Sequence, residues 1–321
     1  FIFINYFLYL SLLVIGVPFL SFQWDTLLLE MSFIGLVLCC FNPIPIWVGV
    51  LLWSLVFKLF LSSGLMKLFS GDQNWLSLTA LKYHFETQPL PNRLGWYFHQ
   101  LPDFILKMGV LLLLFVECVL PFGILFGVEM RLVVGLGLIF FQILIFITGN
   151  FGFFNILVIV LCLSLFPDFV WLEYLSSEII SFVLVPIDGF QGWGLVLSIF
   201  VVLTFLFLNF IQLISIFNRS VKGFFLLRLL QPFFICNNYG LFMVMTTKRF
   251  EWEIESSING EDWESCEFFY KPMALDRAPF QIAPYHPRLD WQFWFASLDP
   301  QKVKPWLEDT VCMLLEGSDS V

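Results

Sequence analysis

Two of the three histidines in this chain, His84 and His99, lie in one polar stretch, residues 70–103, that interrupts an otherwise oily sequence. The same stretch carries Asp72, Glu86, Gln88 and Asp103, the aromatics Trp75, Tyr83, Trp96 and Tyr97, and a stiff Pro89–Leu90–Pro91 elbow. A histidine beside a carboxylate is the usual proton-transfer pair, and His84 with Asp72 or Glu86 has the residue types for it. A metal site assembled from His84, Glu86, His99 and Asp103 is not expected. His84 and Glu86, two positions apart, do not share a helix face, and neither an HExxH run nor paired Cys/His spacing is present. The plainer reading is that these groups satisfy backbone at a membrane surface or contact a partner, with Trp75, Trp96 and Tyr97 in an interfacial aromatic belt. Loops between membrane spans are short, so a long, proline-braced, aromatic one is expected to carry function.

The second set of chemical candidates lies in the oil. Lys58 and Glu117 fall inside apolar runs, with Glu30 nearer an interface. Charges inside a bilayer are costly and mark functional sites by default. Two readings stay open: a polar site between helices, or a mutual ion pair of Lys58 with Glu117 or with Glu30. Lys58, His84, His99 and Glu117 are thus the catalytic candidates. No G-x-S-x-G elbow, phosphate loop or dinucleotide fingerprint is present, so no cofactor is expected. The seven cysteines contain no C-x-x-C pair, which argues against a zinc ribbon or a thioredoxin-type redox centre. Cys39, Cys40, Cys118 and Cys162 sit in apolar runs and read as small core hydrophobes.

The elements that must position these groups are membrane helices. The chain has 321 residues, 59% hydrophobic and 13% charged, against about 25% charge in soluble domains, and its mean hydropathy is +0.87. The apolar residues fall in runs. Residues 1–24, 26–41, 44–68, 104–126, 132–148, 151–166 and 193–217 read as about seven spans, making residues 1–217 a helical membrane domain with 70–103 as its polar loop. The Asn42–Pro43–Ile44–Pro45 run predicts a tight turn, and Gly149–Asn150 divides a charge-free run too long to cross once. Residues 171–186, with Glu173 and Glu178, predict an interfacial amphipathic helix. Residues 1–22 lack a charged n-region and a cleavage site, so they read as a span rather than a signal peptide. The chain is expected to continue beyond both ends.

From residue 218 the composition turns polar. Arg219, Lys222 and Arg228 form a basic cluster, and residues 250–258 alternate apolar and acidic side chains. With a turn at Asn259–Gly260 and a return at 263–270 they predict a hairpin, so 218–321 is expected to be a small β-rich domain outside the membrane. The aromatic run 289–298 is expected to pack on that sheet or lie against the bilayer. Net charge is −9 without a basic patch, which argues against a nucleic-acid partner. The partners expected are membrane lipid and a protein. If 171–186 does not cross, loop 70–103 and the polar domain share one side. The positive-inside rule, applied to Lys67, Lys82, Arg93, Lys107 and the 219–228 cluster, puts that side in the cytoplasm.

Ser70-Gly-Asp-x-x-Trp75, Leu78-Thr-Ala-Leu-x-Tyr-His84-x-Glu-Thr-Gln-Pro-Leu-Pro91 and Trp96-Tyr-x-His99-Gln-Leu-Pro102 together closely resemble the lipase maturation factor family. Phe22-Gln-Trp-Asp25 leading to Leu27-Leu-Leu-Glu30, Thr148-Gly-Asn-Phe-Gly-Phe-Phe-Asn155 and Tyr239-Gly-Leu-Phe-x-Val-Met-Thr-Thr247 look like the same family. So do Tyr270-Lys-Pro, Pro284-Tyr-His-Pro-Arg-Leu-Asp-Trp-Gln292 and Trp294-Phe-Ala. The resemblance runs from about residue 20 to the end. It singles out Trp24, Asp25, Glu30, Asn150, Asp290 and Trp291 as structural motif positions. It implies a multi-pass membrane protein that assists folding and assembly of secreted lipases. The membrane would be the endoplasmic reticulum in a eukaryote, with the C-terminal domain luminal, against the positive-inside count, and the inner membrane in a bacterium. The rival expectation is a membrane enzyme, distantly like the helical bundle of vitamin K-dependent carboxylase relatives. Lys58, His84 or His99 would then act on a lipid-soluble substrate.

Overall fold

In the computed structural model, residues 1–41, 46–174, 193–218, 225–273 and 276–317 are described. The turn expected at 42–45 lies outside them, as do most of the 171–186 segment and the basic positions Arg219 and Lys222.

All seven expected spans are helical: α1 (Ile2–Ile15), α2 (Gln23–Leu38), α3 (Ile46–Phe69), α7 (Asp103–Cys118) continued by a 3-10 turn (Leu120–Leu125), α8 (Val128–Thr148), α9 (Phe154–Cys162) and α11 (Trp193–Phe217). Among the described residues four candidate membrane spans emerge, Trp47–Phe69, Asp103–Leu125, Val128–Thr148 and Val196–Phe217. At ~1.5 Å per residue these reach or approach the ~30 Å of a bilayer core. α1, with 14 residues, and α9, with 9, fall short, and α2 carries Asp25 and Glu30 into its 16 residues. Full crossing is therefore supported for four of the seven.

Between α3 and α7, the polar loop folds into three short helices, α4 (Gln73–Leu76), α5 (Ala80–Thr87) and α6 (Arg93–His99). Asp72 caps α4 by accepting the Asn74 N–H at 2.9 Å, and Asn92 caps α6 by accepting that of Gly95 at 2.7 Å. Gly95 is required by contact: a Cβ there would lie 2.7 Å from the Thr148 carbonyl, so the loop sits directly on the end of α8.

After α10 (Asp168–Tyr174), α11 and a short α12 (Phe225–Leu230), residues 234–240 drop back among the helices in non-helical form. Tyr239 is fully buried and Cys236 is nearly so. Backbone at such depth must find polar partners inside the protein, and it does. The Asn237 N–H donates to Glu30 at 3.1 Å, the Gly240 N–H to Gln23 at 3.0 Å, and the Cys236 carbonyl accepts from Gln212 at 3.1 Å.

Among the described residues the β-rich expectation shrinks to one small sheet, β1 (Glu255–Ser256) antiparallel to β2 (Glu264–Ser265), with Glu255 opposite Ser265. Gly260 makes the expected turn with φ +75°. The ladder stops because neighbouring backbone is claimed elsewhere. Lys271 donates to the Trp252 carbonyl, and Asp290 accepts the Tyr270 and Lys271 N–H groups. Trp252 also stays exposed, so the alternating face has no core to bury against. The aromatic run does not extend the sheet. It is helix α13 (Arg288–Leu298), followed by α14 (Pro300–Leu315), and its Trp291, Phe293 and Trp294 are buried.

Candidate functional site

Residues 70–103 and the chain from 240 to 298 are stitched into one body on one end of the bundle. The Arg249 guanidinium donates to the carbonyls of Glu86, Gln88 and Pro89, a fork suited to the turned-out backbone of the proline elbow. Thr87 donates to the Thr246 carbonyl at 2.8 Å, and the Trp294 indole donates to the Thr87 carbonyl at 2.9 Å. Asp72, beyond its cap role, accepts the Met245 N–H at 2.6 Å. Asn150, 2% exposed, joins three segments at once. Its amide donates to the carbonyls of Leu90 (3.1 Å) and Phe280 (2.9 Å), while its oxygen accepts Ile282 N–H (2.7 Å) and Ala283 N–H (3.0 Å). Asp72→Ala is expected to lower stability by about 1–2 kcal/mol, the size of a lost N-cap. It should also free Met245, checked by a drop in thermal midpoint with faster amide exchange at that residue.

A second knot ties the start of α2 to α13. Asp25 accepts from Phe22 N–H at 3.0 Å, from the Tyr9 hydroxyl at 2.6 Å and from Arg288 at 3.4 Å. Trp24 and Trp291 sit edge to face at 5.2 Å, with His286 between 4.9 and 5.1 Å from both. Neither His286 nitrogen has a hydrogen-bond partner among the described residues. Burial therefore pushes its pKa down to about 3, with the Arg288 charge adding to the effect. A folded-state pKa below the free value means the unfolded chain binds the extra proton. Stability is expected to hold at and above pH 6.5 and to fall as pH drops from there towards 3. The fall is about 2 kcal/mol by pH 5. His286→Phe should flatten that part of a stability–pH profile.

The catalytic candidates fall in three places. Lys58, 1% exposed, pairs with Glu30, which is fully buried; of the two partners open to it in sequence, it takes this one. Glu30 also accepts the Tyr239 hydroxyl at 2.6 Å and the Asn237 amide at 3.0 Å. Glu117 pairs instead with Lys67, both carboxylate oxygens at 2.8 Å. His99 lies outside, its Nε2 3.6 Å from Glu86. His84 faces a cavity of about 270 Å³ between the loop helices and α3, α7 and α8, which Lys67, Glu117 and Gln142 also line. Only His84 and Glu117 of the four candidates share that cavity. Among the described residues no three His, Cys, Asp or Glu groups converge for a metal ion.

Lys67 was legible only as a surface charge at the end of α3. It is 4% exposed and turned inward, so it leaves the positive-inside count, and Lys82 is paired with Asp103 at 3.3 Å. Trp75 is not in an interfacial belt. It is buried, donating to the Phe242 carbonyl at 3.2 Å, whereas Trp96 and Tyr97 are exposed. Tyr83 contributes its carbonyl to Thr87. Gln88 is buried and donates to the Phe85 and Thr148 carbonyls. The Pro91 carbonyl accepts weakly from Asn150 at 3.4 Å. The roles of Arg249, Asn237 and Arg288 were not legible in sequence, since the proline elbow, Glu30 and Asp25 that they hold lie far along the chain.

Residues 1–173 match the lipase maturation factor transmembrane domain, and residues 235–321 match the lipase maturation factor C-terminal domain. Lipase maturation factor 2 of Xenopus laevis is 30% identical over 98% of this chain and 59% of its own length. Lipase maturation factor 2 of Homo sapiens is 28% identical over 98% of this chain and 60% of its own. Lipase maturation factor 1 of Mus musculus is 30% identical over 97% and 58%. The chain thus spans under two thirds of these relatives. No solved structure matches it. The Glu30 pairing, the Asn150 bridge and the loop motif fall within the matched domains, and the chain, an integral membrane protein with several apolar helices, belongs to the lipase maturation factor family.

Proposed function

We propose that this protein is a membrane-anchored folding factor. In this reading it holds a secreted client of the lipase kind on the surface built by residues 70–103 and the chain after 240. The observation that carries the reading is a rigidly tied surface bearing exposed aromatics. Trp96 and Tyr97 on α6, and Phe250, Trp263, Phe269 and Tyr285 beyond, are 56–81% exposed. Such side chains suit transient capture of apolar client segments, and the relatives' printed names point to lipases as those clients. The membrane is that of the endoplasmic reticulum in a eukaryotic source and the inner membrane in a bacterial one. The domain division at residue 217 belongs to this proposal, with 218–321 acting as a cap on the membrane part.

The test is a photo-crosslinking amino acid placed at Trp96 or Trp263 in cells that secrete a lipase. The reading expects immature lipase in the crosslinked product and reduced secreted activity when the protein is deleted. Crosslinks to lipid alone, with lipase secretion unchanged on deletion, would sink it.

A further inference from the structure

The cavity between the polar loop and the spans is not needed for the client surface, yet it is built with care. Its walls are mostly apolar, from Leu112 and Gly109 on α7, Leu144 on α8 and aromatic side chains of the loop. Against them stand three polar groups. Lys67 and Glu117 form a closed, charge-neutral pair. His84 packs against the rings of Phe85, Phe151 and Phe242, and its imidazole makes no hydrogen bond among the described residues.

Burial and the nearby Lys67 charge lower the His84 pKa to about 4, so the imidazole is neutral at physiological pH. It is only partly exposed and lines the cavity. A neutral imidazole offers one donor and one acceptor, and buried polar groups are rarely left without partners. The cavity is near the lower end of the roughly 300–1,000 Å³ of small-molecule sites, which are likewise apolar with a few placed polar groups. It is not sealed: Leu112 and Ile105, both lining it, are 52% and 46% exposed on the outer face of α7, a membrane span.

We infer that this cavity is a lipid site: it takes one hydrocarbon chain from the bilayer, whose uncharged hydroxyl or carbonyl group hydrogen-bonds to His84 beside the Lys67–Glu117 pair. A carboxylate or phosphate head would have to compete with Glu117 for the ammonium in a dry site, which disfavours anionic lipids. The volume holds the polar group and the first part of one chain, whose remainder lies in the bilayer beyond Leu112. The site stands independently of the client-holding surface, because it lies beneath the loop rather than on it.

The experiment uses the full chain in native membranes with a diazirine-bearing monoacylglycerol as photoprobe, followed by peptide mapping. Parallel arms carry a diazirine fatty acid and a diazirine phosphatidylcholine. The expected result is labelling of 103–118 and 128–148 by the monoacylglycerol probe above both other probes, competed by unlabelled 1-monooleoylglycerol. Leu112→Trp, which blocks the exposed mouth, should cut labelling by about tenfold or more by filling the space. His84→Phe keeps the ring and removes the polar contact, and should cut it about fivefold, the worth of one net hydrogen bond. Both variants are checked for an unchanged thermal midpoint; if Leu112→Trp is unstable, Leu144→Phe takes its place. Labelling spread evenly over α1 and α11 and insensitive to these variants, or stronger with the fatty acid or phosphatidylcholine probe, overturns the inference.

Discussion

Lys58→Met is expected to destabilise the protein by about 3–5 kcal/mol, the cost of stranding a buried charge. Glu30 is wholly enclosed and Lys58 is its counter-ion, while Tyr239 and Asn237 donate to the same carboxylate. With the ammonium gone, two neutral donors and one backbone N–H remain around a full negative charge far from water. Lys58→Met combined with Glu30→Gln removes both charges and leaves an amide that still accepts from Tyr239. Its loss should be well below the sum of the two single changes, the signature of a coupled pair. Denaturant unfolding of the purified protein in mild detergent reads this. A Lys58→Met variant as stable as the parent would mean that the pair does not hold residues 234–240 inside the bundle.

The second large effect is at Asn150. Asn150→Ala removes two donors from carbonyls and two acceptor contacts from amides in a nearly waterless spot, where each stranded group costs about 1–3 kcal/mol. The damage should be local. The helices keep their own ladders, while the segment around 280–283 lifts from the loop. Amide exchange at Ile282 and Ala283 is expected to quicken by about a hundredfold, reporting local opening rather than global unfolding. Asn150→Asp separates the two halves of the contact. Its carboxylate still accepts from Ile282 and Ala283 but faces the Leu90 and Phe280 carbonyls without a donor. Those two amides should stay better protected than in Asn150→Ala while the 90–91 elbow loosens.

The oily runs were legible because a span announces itself by length and composition, and α3, α7, α8 and α11 follow from that. Loop 70–103 stood out for the same reason in reverse. What sequence could not supply was pairing across distance. Lys58 had two candidate acids and nothing in spacing chose Glu30. The partner of Glu117 was Lys67, disguised as an interfacial charge. The alternation at 250–258 has a real strand period, but Trp252 finds no core, and Lys271 and Asp290 claim the neighbouring backbone, so the ladder stops at two residues. Arg249 reads as an ordinary polar-segment cation until the fold brings three carbonyls of the proline elbow to it.

The account rests on one shared face for loop 70–103 and the chain beyond 240. Single-cysteine variants tested with a membrane-impermeant maleimide probe this directly. Trp96→Cys and Ser257→Cys are made with the native thiols replaced, and a third variant keeps only Cys39, which, like Cys40 and unlike the buried Cys162, is exposed at the far end of α2 rather than in the core expected for it. α3, a candidate span, rises about 35 Å from Ile46 to Phe69; it opens seven residues after Cys39 and ends at loop 70–103, while the first turn of α2 is tied to the shared face through Asp25 and Gln23. The prediction is that positions 96 and 257 label from the same side of the membrane and Cys39 from the other. Labelling of 96 and 257 from opposite sides would contradict it.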